Sequence, residues 1–202
     1  MAGIMRLLIA SSNKGKLAEI MALLQDIPLD AVLPSDMGIQ MDVEEDGTTY
    51  AENSLKKALA YCQVSGLVTL ADDSGLEVDA LGGQPGLHSA RFSGKPGATD
   101  ADRRKFLLEK LKGHPQPWPA TFRSTVVIAT PDGRTFTLDG ECRGEIIPEE
   151  RGTNGFGYDP IFLVEGMNRT MAELSMEEKN TLSHRARAIL ASRPVLMNLA
   201  GE

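Results

Sequence analysis

The chain has 202 residues, 42% hydrophobic and 24% charged, with 28 acidic against 21 basic side chains and a net charge of -7. That length gives one domain with a substantial core, or two lobes, and the composition excludes a disordered chain. The acidic balance argues against the broad basic face of a nucleic-acid binder, leaving a local Lys/Arg cluster better suited to a small anionic ligand.

The two cysteines, Cys62 and Cys142, are too few for a disulfide framework or a zinc site, and His88, His114 and His184 show no metal-ligand spacing. The apolar run at 7–10 is much shorter than a signal or membrane-spanning segment. A cytoplasmic protein with no membrane partner is expected.

In chain order, residues 6–10 read as a short buried strand, followed by the polar loop 11–15. Leu17, Ile20, Met21, Leu23 and Leu24 recur at helical spacing, so a helix begins near Lys16. Such a loop places backbone N–H groups at a helix start, where anions are favoured. Thr49-x-x-Glu52 is a capping-box pattern announcing a second helix that stops near Gly66. A buried strand is expected at 68–71, ending in Asp72-Asp73-Ser74-Gly75. The glycine-rich stretch 82–97 reads as a functional loop, 99–112 as a third helix, and 120–130 with 135–144 as a β-hairpin about Pro131-Asp132-Gly133. A strand at 161–164 and helical sequence from 175 to about 199, interrupted near Ser183, complete one α/β unit with a mixed sheet.

Candidate chemistry lies at several points. Ser11, Ser12, Asn13, Lys14, Gly15 and Lys16 combine hydroxyls, an amide and two ammonium groups at a helix start, without P-loop spacing. Taken alone, this loop is equally a capped turn with solvated lysines. Asp72 and Asp73 are adjacent carboxylates that repel unless a cation or donors compensate, which makes a magnesium site reasonable beside the reading of a plain turn. Glu44-Glu45-Asp46-Gly47 is a second acidic cluster, and Glu52 is read as the capping partner of Thr49. Lys56 and Lys57 cannot share one helix face, so at most one addresses a site. Phe156 lies between two glycines that would let the backbone approach a flat ligand, with Asp159 as an acceptor. Lys179, Ser183, His184 and Arg185 form a donor-rich group that a helix break at Ser183 would bring to one site.

These motifs resemble the inosine triphosphate pyrophosphatase family, also called dITP/XTP pyrophosphatases. The matching segments are 11–16 (Ser-Ser-Asn-Lys-Gly-Lys), 44–53, 71–86, 155–162 (Gly-Phe-Gly-Tyr-Asp-Pro-Ile-Phe) and 172–185, in the family's order and over nearly the whole chain. The resemblance implies a single ITPase-like domain over 1–202. Its expected fold is a two-lobed α/β one, with a mixed β-sheet flanked by helices and a deep cleft between the lobes. It also implies a homodimer that hydrolyses dITP, ITP and XTP to the monophosphate and pyrophosphate with Mg²⁺. Carried over by position, Ser11 to Lys16 and Lys57 hold the triphosphate with Ser74 beside it. Asp73 is the catalytic acid near the metal, and Glu45 is a second metal-associated carboxylate. Phe156, Gly157, Tyr158, Asp159, Lys179, His184 and Arg185 surround the purine base. Ser11-Ser12 stands where many relatives have Thr-Gly, and His88 where Tyr is frequent; His88 receives no role.

Two rivals are a related pyrophosphatase family acting on pyrimidine or modified nucleotides, and a nucleotide sensor without turnover. The first matches these motifs less well. The second gains little from the extra carboxylates Asp72 and Asp73.

Overall fold

The computed structural model describes residues 4–201. The chain begins as an α/β unit: β1 (Met5–Ile9), α1 (Lys14–Leu24) and β2 (Leu29–Val32), with β2 parallel to β1. Helix α1 starts two residues before Lys16 because the Asn13 side chain accepts a hydrogen bond from the Lys16 N–H at 3.1 Å, capping the first turn. Helix α2 (Tyr50–Ser65) is capped by Thr49, which accepts from the Glu52 N–H at 3.1 Å, and it stops at Gly66 with φ +68°. The Glu52 carboxylate accepts from the N–H and hydroxyl of Thr48, at 2.6 and 2.9 Å, which shifts the expected reciprocal contact one residue outward.

Strand β3 (Val68–Val78) is parallel to β1, with Ile9 opposite Leu70. It runs straight through Asp72-Asp73-Ser74-Gly75, where the sequence reads as a turn. The parallel pairing nevertheless ends at Leu70, so both aspartates stand beyond the carboxyl end of β1. That is where α/β sheets place ligands. The stretch after β3 is tied down by β4 (Pro85–Gly86), antiparallel to β3, and by single helical turns at Asp79–Leu81 and Ser89–Arg91.

Helix α3 (Asp100–Leu111) carries a full capping box between Thr99 and Asp102. Strands β5 (Trp118–Ala129) and β6 (Thr135–Ile146) turn about Gly133, φ +92°. Strand β7 (Phe162–Val164) pairs antiparallel with β6 so closely that a side chain at Gly144 would overlap the Leu163 carbonyl. Helices α4 (Met176–Leu182) and α5 (His184–Ala200) are separated at Ser183, whose backbone is extended. Among the described residues the strands form a seven-stranded mixed sheet, in the order β2-β1-β3-β5-β6-β7 with β4 on β3. The expected mixed sheet flanked by helices is the observed architecture. No helix among the described residues is long and apolar enough to cross a membrane.

The chain divides into two compact units, each drawn from discontinuous segments. Unit 1 is Met1–Asp73, Ser124–Gly140 and Arg185–Glu202; unit 2 is Ser74–Arg123 and Glu141–His184. In unit 1 the core joins Leu7, Ile9, Ile20, Leu70, Val126, Ile128, Ile189 and Leu196, so the central strands are covered by α1 and α5. A smaller cluster seats Ala58 and Cys62 of α2 on Ala71 and Val127. In unit 2 the core joins Leu76, Leu107, Leu111, Trp118, Phe122, Tyr158 and Phe162.

Leu107 is fully buried in that second core, whereas Met197 is 57% exposed. Leu107→Ala should cost about 2–5 kcal/mol of stability. Met197→Ala should change stability by under about 0.5 kcal/mol. Denaturant titration followed by fluorescence of Trp118, the only tryptophan and a unit 2 residue, reads both values.

Candidate functional site

In unit 1 the functional side chains come from the β1–α1 loop, the segment before α2, α2 itself, β3 and the start of α5. Ser11 Oγ accepts from the Asn13 N–H at 3.2 Å, and Asn13 caps α1, so both polar groups shape the loop. Ser12 and Lys14 are exposed, and Gly15 is half-buried. Lys16 reaches back across β3: its Nζ lies 2.9 Å from Asp72 Oδ2 and 3.4 Å from the Asp72 carbonyl oxygen. Lys57 Nζ donates to the same carbonyl at 2.8 Å and to Glu45 Oε1 at 2.7 Å. Lys56, by contrast, is exposed and pairs with Asp46. Two ammonium groups from different helices therefore converge on one backbone oxygen, beside Asp73.

The adjacent aspartates have opposite surroundings, because successive residues of a strand point to opposite faces. Asp72 Oδ2 receives Arg185 Nε at 3.2 Å as well as Lys16, and Asp72 Oδ1 receives the Ser124 hydroxyl. Burial alone would raise the Asp72 carboxyl, but Arg185, Lys16 and Ser124 outweigh it and hold it far below the usual carboxylate range. Arg185 is itself only 1% exposed and pairs on its other side with Glu19, so a buried chain of charges runs Glu19–Arg185–Asp72–Lys16. Burial pushes the Lys16 ammonium down despite Asp72, and the charges of Arg185 and Lys57 add to that fall.

Asp73 goes the other way. Burial pushes its carboxyl above the usual range; Lys57, Lys16 and the Asn53 amide oppose the rise, and the negative charge of Glu45 adds to it. Asn53 Nδ2 donates to Asp73 Oδ2 at 3.1 Å, while Asn53 Oδ1 accepts from the Gly47 N–H at 2.8 Å. One buried amide thus ties the acidic segment containing Glu45 to Asp73. Gly47 is a glycine for this reason: a Cβ there would lie 2.6 Å from Asn53 Oδ1. Among the described residues no three His, Cys, Asp or Glu side chains gather as a metal cage. Asp73 and Glu45 are two carboxylates close enough that the Glu45 charge adds to the rise of the Asp73 carboxyl, a donor set of the size that Mg²⁺ takes when phosphate and water supply the rest.

Unit 2 holds the second group. Phe156 lies between Gly155 and Gly157, whose φ values are +73° and +62°. A side chain at Gly155 would fall on Asp159 Oδ2. That oxygen accepts from the Phe156 N–H at 3.0 Å and from Lys179 Nζ at 2.6 Å. Lys179 Nζ also stands 5.2 Å from the centre of the Phe156 ring, within cation–π range. The His184 ring stacks on Phe122 at 4.7 Å with 10° between the planes.

Two of the expected base residues also have partners within the protein. Tyr158 is 4% exposed and belongs to the unit 2 core, its hydroxyl donating to the Ser89 carbonyl at 2.9 Å. Arg185 is the counter-charge of Asp72 and Glu19, because a guanidinium held between two buried carboxylates is the form those carboxylates require. Ser74 is half-buried on β3, one residue after Asp73. The break at Ser183 occurs as expected. Asn53, Ser124, Glu19 and Phe122 were not singled out from the sequence; only Asn53 left a signal, as part of the 44–53 segment.

The raised Asp73 carboxyl has a consequence for stability. A carboxyl whose folded pKa lies above its unfolded value favours the fold at low pH, and that advantage is lost as pH rises from about 4 through the folded value. Metal-free Asp73→Asn lacks this loss. It should melt above the wild type at pH 7, and the difference should close below about pH 4. Calorimetry across that range in chelator checks it, and a variant that melts lower at pH 7 contradicts it.

Residues 7–194 match the Ham1 family. A protein of Desulforamulus reducens named dITP/XTP pyrophosphatase is 46% identical over 196 residues, covering 96% of this chain and 97% of that protein. One of the same name from Geobacter sulfurreducens is 48% identical over 185 residues, covering 91% of this chain and 92% of its own length. The solved structure of a HAM1 protein from Coxiella burnetii superposes with a TM-score of 0.87 at 38% identity, covering 96% of this chain and all of that one. With its family motifs on β1–α1, β3 and α4–α5, the chain belongs to the Ham1 family.

Proposed function

We propose that this chain is a Mg²⁺-dependent nucleoside-triphosphate pyrophosphatase that converts dITP, ITP and XTP to the monophosphate and pyrophosphate, removing them before they enter DNA or RNA. The observation that carries the reading is the convergence of Lys16 and Lys57 on the Asp72 carbonyl, with Asp73 next in the chain. Two neighbouring ammonium groups repel each other and favour an anion of high charge density, such as a polyphosphate. Relatives named dITP/XTP pyrophosphatase, at 46% and 48% identity, support the substrate class.

In this reading the loop 11–16 presents its backbone donors and Lys16 to the polyphosphate, joined by Lys57 and by Ser74 beside them. Asp73 and Glu45 would hold Mg²⁺, which supplies charge neutralisation to phosphate oxygens. Asp73 orients a water toward the α-phosphorus and accepts its proton. Its carboxylate is oriented by the Asn53 amide and follows directly the carbonyl on which Lys16 and Lys57 converge, which is the placement a general base needs. Asp72 cannot share that task, since Arg185, Lys16 and Ser124 occupy its oxygens and hold its proton affinity too low for a base. Positioning and electrostatics carry most of the rate in such phosphoryl chemistry.

The unit 2 group takes the base. Phe156 offers a ring face, Gly157 lets the chain approach, and Asp159 fixes Lys179. Lys179 and His184 supply donors. Hypoxanthine and xanthine present a keto oxygen at C6, which accepts; adenine presents an amino group, which donates and is left unmatched. We also read the protein as a cytoplasmic homodimer. The family resemblance supports the dimer, and the buried free thiols of Cys62 and Cys142 suit a reducing compartment.

ITP and XTP should be hydrolysed far faster than ATP or CTP. One mismatched buried contact is worth about 1–3 kcal/mol, roughly 5- to 150-fold in kcat/KM. In ¹⁸O-water the label should enter IMP. Equal turnover of ITP and ATP defeats the base assignment, and label in pyrophosphate moves the attack to the β-phosphorus.

Asp73→Asn should fold and bind inosine nucleotide while turnover drops about 10²- to 10⁴-fold, the usual loss for a general base. Raising Mg²⁺ separates its two roles. A persistent defect marks the base, substantial rescue marks a ligand, and wild-type turnover throughout removes Asp73 from catalysis.

A further inference from the structure

We infer that Asp100 and Arg104 are positioning residues for base selection, acting through the backbone N–H and carbonyl of Gly157, the residue that follows Phe156. The inference rests on the reading of Phe156 as the ring that meets the base.

Phe156 has a glycine on each side, both in the left-handed region. Glycine is the residue with the most backbone freedom, so this arrangement by itself would leave the ring free to swing. The structure removes that freedom at three points. The Phe156 N–H donates to Asp159 Oδ2 at 3.0 Å. The Gly157 N–H donates to Asp100 Oδ2 at 2.8 Å, and the Gly157 carbonyl accepts from Arg104 Nη1 at 2.8 Å. The last two contacts hold one residue by both its backbone polar groups, the N–H of the 156–157 peptide and the carbonyl of the 157–158 peptide, with a negative charge at the donor and a positive charge at the acceptor. Charge-assisted hydrogen bonds of this kind are short and stronger than neutral ones.

The grip comes from one helix face. Asp100 and Arg104 are four residues apart in the first turns of α3, so their side chains lie side by side. Each is in turn fixed by a second partner. Arg104 makes a two-pronged contact with Glu150, Nε to Oε1 and Nη2 to Oε2, both at 2.9 Å. Asp100 pairs with Arg103. Only a guanidinium can hold Glu150 with two parallel bonds and still reach a carbonyl with a third; an ammonium is a point charge and satisfies fewer of these at once.

Arg104→Lys should therefore loosen the Gly157 backbone while leaving the unit 1 cluster untouched. The expected outcome is a KM for ITP raised about 10-fold or more, from loss of one charged hydrogen bond. kcat should stay within about threefold, the ITP over ATP preference should shrink, and amide exchange across 155–158 should speed up. A residue needed only for folding would instead lower stability and active fraction, with KM and preference unchanged. Asp100→Asn is the second variant, in case Arg104→Lys fails to fold: it keeps an acceptor for the Gly157 N–H but loses the charge, so its effect should be in the same direction and smaller. Phe156→Ala is run beside them with the same nucleotides. If Phe156→Ala shifts KM and preference while folded Arg104→Lys and Asp100→Asn do not, the positioning role is wrong. If Phe156→Ala itself changes neither, the reading of Phe156 as the base-stacking ring falls.

Discussion

The Asp72 carboxylate is the constraint on which the unit 1 site depends. A charged side chain in the interior of a strand is costly unless paired and hydrogen-bonded. Here it has Arg185, Lys16 and Ser124, and Arg185 has Glu19 on its far side. These partners come from α1, α5 and β5, so satisfying one carboxylate fixes how three elements meet β3. The consequence reaches the backbone. With Asp72 secured, its carbonyl stands where Lys16 and Lys57 can both donate to it. Removing one member of such a buried set leaves an uncompensated charge, typically a loss of about 3–5 kcal/mol.

Asp72 and Asp73 show how one dipeptide sets two carboxylates in opposite environments. The pleat sends them to opposite faces. Asp72 meets a guanidinium and an ammonium and is held ionised. Asp73 meets an amide, is pushed up by burial, and has Glu45 nearby as a further negative charge. Environments that push two carboxylates apart are the usual way a site divides roles between them.

Much of this was legible in the sequence, and the failures have physical causes. A helix start near Lys16, the hairpin at Gly133 and the break at Ser183 follow from local rules of capping and turn chemistry, whereas β2 at Leu29–Val32 was not read from the sequence. The end of β3 was misplaced because Asp-Asp-Ser-Gly is locally a turn signal. What makes it strand is pairing with β5 and β4, and the charge of Asp72 is met by Arg185, 113 residues away; local patterning carries no information about such distant partners. The same distance hid Glu19 and Asp72 as partners of Arg185, and Ser124 as a partner of Asp72. The packing of Tyr158 was hidden for a different reason: a tyrosine inside a motif reads as a contact residue, but a ring can be buried wherever its hydroxyl finds an acceptor, here the Ser89 carbonyl.

In unit 2 the economy lies in Asp159. Its Oδ2 accepts from the Phe156 backbone and from Lys179 together, so the ring that would face the base and the ammonium that would donate to its keto oxygen share one anchor. Gly155 is confined to glycine by that same oxygen. A recognition site built from separately mounted parts tolerates small independent shifts in each. One in which a single carboxylate sets the aromatic face and the donor cannot move one without the other. An arrangement of that kind favours ligands in which ring and acceptor stand in a fixed relation, as the plane and C6 oxygen of an oxopurine do.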